Sequence, residues 1–165
     1  MINFKILTMY KSYNLTLGLI LVSLLTGCEK NGNTDFSSEI EYVKYGTSFG
    51  ECLGYCFNDI TITSSRIEFH ANGWNLDGAL PEVSDTMNID TKYWEELVGK
   101  IDFNSFLGLD SIIGCPDCAD GGAEWIEIKS KENIYKVIFE YHNEPGELED
   151  YIEDLRTYLN KFNIN

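Results

Sequence analysis

Hydrophobic and polar positions change their period several times along this chain, and each change marks an element. Leu15 to Leu25 is a continuous apolar run apart from Thr16 and Ser23. Beyond it the pattern alternates. Ile40–Tyr45 reads as a strand. Asp59–Thr63 alternates strictly and puts Ile60 and Ile62 on one face. Ser64-Ser65 is a turn signal, and Arg66–His70 alternates again with Ile67 and Phe69 inward, which predicts a hairpin. Asn72-Gly73 ends the second strand. Leu76–Asn88 is turn-rich and reads as irregular.

Helical spacing follows. Asp90-Thr91 predicts an N-cap for a helix over Lys92–Lys100, whose stripe is Tyr93, Trp94, Leu97, Val98 and then Ile101. Phe103–Ile113 reads as a packed irregular segment with one helical turn. Cys115–Gly122 is a loop by its Pro, Asp and Gly content. Glu124–Lys129 and Ile134–Tyr141 return to period two around the turn Lys131-Glu132-Asn133. Pro145-Gly146 opens a last helix, with Leu148, Tyr151, Ile152, Leu155, Tyr158, Leu159 and Phe162 at helical spacing. The order strand, hairpin, helix, hairpin, helix predicts an α+β domain. Its economical form is an antiparallel sheet of about five strands with both helices packed on one face.

The first apolar run is too short for a comfortable bilayer span of ~20 residues. Lys5 and Lys11 precede it with no acid between them, and Leu25-Thr26-Gly27-Cys28 closes it. A charged start, a short apolar stretch and small residues before a cysteine form an export signal ending in a lipobox. Met9 is an alternative start. The competing reading is an uncleaved anchor helix followed by a chance Gly-Cys, but the small residues and Cys28 stand where cleavage needs them. The expected organisation is a lipoprotein signal peptide over 1–27, lipidated Cys28 with a polar tether over 28–38, and one α+β domain over 39–165. Several acyl chains on Cys28, at ~0.8 kcal/mol per buried CH2, make the anchor effectively permanent. Glu29 does not look like an inner-membrane retention signal, so the expected address is the cell envelope at the outer membrane.

Charge narrows the partners. The 165 residues carry a formal charge of −15, and cleavage before Cys28 would leave 10 basic and 27 acidic residues, a net −17. Nucleic acid is excluded as a partner, because its binding needs clustered Lys and Arg. The same acidity argues against a second electrostatic hold on anionic lipid. Solubility explains it most simply, and steering of a cationic protein or peptide is the sharper reading. With 44% hydrophobic and 13% aromatic residues the chain is built to fold.

Besides Cys28, four cysteines form two close pairs, Cys52/Cys56 and Cys115/Cys118. An even count in an exported chain predicts disulfides, with three connectivities open. Linking the pairs to each other would stabilise by up to ~4 kcal/mol, whereas closing each small ring contributes less. A four-thiolate zinc site on Cys52, Cys56, Cys115 and Cys118 is the metal alternative, although oxidation competes with metal outside the cytosol. A redox dithiol at Cys115-Pro116-Asp117-Cys118 is the catalytic alternative, but Ala119-Asp120-Gly121-Gly122 makes a poor helix to lower a thiol pKa.

At Cys52-Leu53-Gly54-Tyr55-Cys56 the chain resembles uncharacterised domains of small bacterial lipoproteins that carry a C-x-G-x-C-P-x-Y motif before a strand. Cys52, Gly54 and Cys56 match, Phe57 stands where Pro is usual, and Ile60-Thr61-Ile62 supplies the strand. The resemblance implies this fold and compartment and carries no activity with it.

No motif here supports catalysis. His70 and His142 sit at strand ends and read as surface residues. There is no G-x-S-x-G, no H-E-x-x-H and no Gly-rich phosphate loop. Asp117, Asp120 and Glu124 offer oxygens for Ca2+ without EF-hand spacing, and an acidic turn is the simpler reading. Trp74 and Trp125 suit either a sugar-binding surface or the core, with core the default. The expected function is a binding or structural role without enzyme activity, cofactor or metal. An inhibitor of a cationic envelope enzyme and a thiol or zinc protein are the alternatives.

Overall fold

The computed structural model describes residues 39–74, 80–131 and 133–162, all within one compact unit, Asp35–Asn165. Cys28, the signal segment and the tether lie outside the described residues. Among the described residues no helix is long and apolar enough to cross a membrane.

Seven strands form one sheet: β1 (Ile40–Ser48), β2 (Phe57–Ile62), β3 (Arg66–Asn72), β4 (Val83–Asn88), β5 (Ile112–Ile113), β6 (Ala123–Ser130) and β7 (Ile134–Glu140). Their order across the sheet is β4-β3-β2-β1-β6-β7-β5. Neighbours are antiparallel except β5, which runs parallel to β7. The class is α+β, as the pattern predicts. The strand count and the purely antiparallel sheet are corrected. β4 escapes the sequence reading because its inward positions are Val83, Asp85 and Met87, paired with Ala71, Phe69 and Ile67. An acid on an edge strand reaches water, so it breaks the hydrophobic alternation without harming the fold. β5 is a two-residue pairing, too short to leave a period.

Three α-helices cover one face. α1 (Thr91–Lys100) is capped by Asp90, whose side chain accepts the Tyr93 N–H at 2.7 Å. α2 (Phe103–Leu107) is the one helical turn expected in that segment, and the Asp102 carboxylate caps it by accepting from both Asn104 and Ser105 N–H. α3 (Glu149–Leu159) follows a single 3-10 turn at Gly146–Leu148. Glu149 and Asp150 in its first turn suit the positive end of the helix dipole.

Five of the strands contribute alternate residues to the core: Val43 and Tyr45, Ile60 and Ile62, Ile67, Phe69 and Ala71, Ile126 and Ile128, Val137 and Phe139. Trp94, Leu97 and Val98 of α1, Phe103 and Phe106 of α2, and Tyr151, Ile152, Leu155 and Leu159 of α3 close over them. Among the described residues no helix covers the opposite face of the sheet. There Gly46 sits opposite Trp125, whose ring lies so close that a β-carbon at Gly46 would come within 2.5 Å of it.

Candidate binding site

β1 ends beside the first residues of β2 and β6, so the loops that precede those two strands meet at one end of the sheet. These are the two cysteine loops. Cys52 pairs with Cys56 (Cα–Cα 5.7 Å) and Cys115 with Cys118 (Cα–Cα 5.4 Å). Both disulfides are local and neither crosses between loops. The four sulfurs are thus not one ligand set, and among the described residues no group of three or more His, Cys, Asp or Glu side chains is arranged to hold a metal. Cys118 begins a single 3-10 turn, with Ala119 in the left-handed region at φ 54°.

Hydrogen bonds, not sulfur, tie the loops together. Asp117 Oδ1 accepts the Gly50 N–H at 3.1 Å and the Gly122 N–H at 3.2 Å. Gly122 is needed for two reasons: its φ is +83°, and a β-carbon there would lie 2.4 Å from the Phe49 ring. Phe49 meets Tyr141 edge to face at 4.9 Å between centroids. Trp74 donates its indole N–H to the Phe49 carbonyl at 3.0 Å and packs edge-on against Phe57. Leu53, at the tip of the first disulfide loop, is fully exposed.

Between the first cysteine loop and the C-terminal end of α3 lies a cavity of about 630 Å3. Phe49, Tyr55, Phe69, Tyr141 and Phe162 form its aromatic wall, and Leu53, Leu80 and Leu159 its aliphatic part. Thr47, Asn58 and Asn160 supply polar side chains. Among the described residues no charged side chain lines it, in a chain where 24% of residues are charged. A second recess, lined by Gly50, Glu51, Cys52, Leu53 and Trp74, lies on the other side of Leu53.

Next to the cavity the core holds a charged cluster. Glu124 is wholly buried and receives Arg156 Nη2 at 2.8 Å and Nε at 3.2 Å, with the His142 backbone N–H at 3.3 Å. Arg156 also donates to Glu144 through Nη1 at 2.8 Å and Nη2 at 2.5 Å. Hydrogen bonding from Arg156 holds the Glu144 carboxyl below its ordinary range. The same two carboxylates hold the guanidinium in its charged form. The Tyr45 hydroxyl faces this cluster, is buried without a hydrogen-bond partner, and has its pKa pushed up chiefly by burial. Glu124 is therefore spoken for by Arg156, which removes it from the calcium reading.

Trp74 and Trp125 lie outside the core, unlike Trp94. Trp74 is exposed beside Leu53. Trp125 lies on the uncovered sheet face, with Lys136 Nζ 4.1 Å and Lys44 Nζ 5.4 Å from its ring centre. No family model matches this chain, and no curated protein matches it. His70 is no strand-end bystander: it lies within β3, its Nδ1 3.8 Å from Asp59 and its Nε2 in contact with Glu82. His142 turns the chain after β7 in the left-handed region, φ 57°.

The sequence picked out the cysteines but missed the cavity, because its wall is drawn from β1, the first cysteine loop, β2, β3, Tyr141 and the end of α3. The available signal was the cluster of aromatic and amide residues around the cysteine motifs: Phe49, Tyr55, Asn58 and Tyr141.

Proposed function

We propose that this protein is a lipid-tethered binding domain of the bacterial cell envelope, anchored at Cys28 and placed at the outer membrane, with its ligand site in the cavity at the disulfide end of the sheet. One observation carries the reading. The Cys52–Cys56 loop, the adjoining strand ends and the end of α3 converge on an aromatic-walled space of about 630 Å3 with no charged side chain among its described lining residues, inside the ~300–1,000 Å3 range of small-ligand sites. The staple in that loop has a physical purpose there: a loop fixed before binding loses less entropy when the ligand arrives.

The likeness of the Cys52–Cys56 motif to small lipoprotein domains supports the same placement. The local pairing of the cysteines favours a structural role over a thiol or zinc role. A cationic enzyme as partner has less support, since the cavity wall holds no carboxylate to receive it.

Two variants test this in a host that lipidates exported proteins. Replacement of residues 1–28 by a secretory signal without a lipobox is expected to abolish acyl labelling and move the protein from the membrane to the soluble fraction. The neutral dye Nile red is expected to brighten on that lipid-free form. Asn160→Trp fills the cavity from an exposed position and should dim that signal severalfold. Membrane retention without Cys28, or dye uptake indifferent to Asn160→Trp, would overturn the corresponding half of the proposal.

A further inference from the structure

We infer that the cavity at the disulfide end takes a neutral, hydroxyl- or amide-bearing ring ligand, a saccharide of one or two uncharged units. The inference rests on the reading of that cavity as the binding site and names what fits it. The wall decides the class by what it lacks and by what it leaves unpaired.

Charge is the first filter. Among the described lining residues there is no Lys or Arg to replace the hydration an anionic ligand would lose, and such a ligand would approach a chain of net charge −15. A cationic ligand meets no carboxylate among the described lining residues. Either sign would be desolvated without a partner, which is the costliest way to bury a charge.

Unpaired polar groups are the second filter. Asn58 donates its amide N–H to the Tyr55 carbonyl at 3.3 Å, and its own carbonyl oxygen has no partner among the described residues. The side chains of Thr47 and Asn160 and the Tyr141 hydroxyl also make no hydrogen bond among the described residues. An acyl chain or other wholly apolar ligand would cover these groups and leave them unsatisfied. Each such loss lowers affinity about ten- to a hundredfold. A hydroxylated or amide-bearing ligand pairs them instead.

Shape is the third. Phe49 and Tyr141 meet edge to face at 4.9 Å, and Phe69 and Phe162 lie stacked at 5.0 Å between centroids. These aromatic walls complement the apolar C–H face of a sugar ring, while its rim of hydroxyls reaches Thr47, Asn58 and Asn160. A pocket with apolar walls and a few placed polar groups gains orientation from the polar groups and contact from the walls.

The test uses the processed full-length protein in phosphatidylcholine nanodiscs and saturation-transfer NMR. The probes are two neutral disaccharides (maltose and diacetylchitobiose), a digalacturonate, a cationic glucosamine disaccharide, and decanol. At least one neutral disaccharide is expected to bind with a Kd of about 1 mM or tighter. Asn58→Leu and Asn160→Leu should each weaken it about tenfold, and the charged disaccharides should bind at least tenfold more weakly. Salt should leave the neutral affinity unchanged. Binding of decanol or a charged disaccharide in preference to the neutral ones overturns the inference, as does the absence of neutral binding. Nile red on the soluble form without a lipid anchor separates the two failures. Dye uptake without saccharide binding rejects the ligand class and keeps the site, whereas loss of both rejects the site as well.

Discussion

Arg156→Met removes the cation that holds Glu124 in the core, and its cost follows from what is left behind. Glu124 is wholly buried and has two bonds to Arg156, 2.8 and 3.2 Å long, with only the His142 N–H besides. Methionine keeps the packing of the aliphatic stem, so the loss is electrostatic. Removing one partner of a buried pair costs about 3–5 kcal/mol, a third or more of the stability of a small domain. In urea denaturation the midpoint should fall with an unchanged slope. Glu124→Leu with Arg156→Met deletes both charges and should recover to within about 1–2 kcal/mol of the wild type.

Acidity adds a second readout. Arg156 lowers the folded-state pKa of Glu144 below its unfolded value, near 4.5. That stabilisation is complete above the unfolded value and is lost as pH falls through the folded one. The gap between wild type and Arg156→Met should therefore narrow as pH drops below about 4.5. A cost under about 1 kcal/mol for the single variant, or a double variant no better than the single, would refute the reasoning.

Three further outcomes are expected. Replacing Cys52 and Cys56 together by serine should cost about 2 kcal/mol by loop entropy, read by denaturation under non-reducing conditions, because the ring spans a sequence separation of only four. Gly122→Ala should destabilise by about 1–3 kcal/mol, since the residue needs φ +83° and would strike the Phe49 ring; NMR should show the Phe49–Tyr141 contact disturbed while the α1 resonances stay in place. The Tyr42 phenol, pushed up to about 12 by burial and by its hydrogen bond to Glu127 at 2.8 Å, should titrate closer to the ordinary value of 10 in Glu127→Gln, as followed by NMR of ring-labelled tyrosine. Because its folded pKa is raised, the associated stability is present below pH 10 and is lost as pH rises toward about 12.

Local rules made much of the fold legible. Strict alternation at Ile60/Ile62 and Ile67/Phe69 marked the hairpin β2–β3, and Trp125 to Lys129 with Ile134 to Phe139 marked β6–β7. The Asp90 cap and the Trp94-Leu97-Val98 stripe marked α1. What escaped was either irregular or distant in sequence. β4 carries Asp85 on its inward side, and β5 owes its place to a parallel pairing with Ile138 and Phe139. Trp125 looked like a core residue by composition, yet its position in the alternation puts it on the uncovered face, where Gly46 leaves room for its ring. Arg156 and Glu124 are 32 residues apart, and no local period connects them. The cavity is the same case on a larger scale. Thr47, Asn58 and Asn160 are unremarkable one by one and become a polar rim only when β1, β2 and the end of α3 are brought together.

A lipid tether at Cys28 and two cysteine loops each closed upon itself are the central features. Mass spectrometry of the protein purified from the envelope, intact and as a non-reduced peptide map, tests both at once. The predicted result is a chain that begins at Cys28 with a diacylglyceryl and an acyl group, with Cys52 joined to Cys56 and Cys115 to Cys118. An unmodified chain that still begins at Met1 or Met9, or a bond joining the first loop to the second, would contradict it.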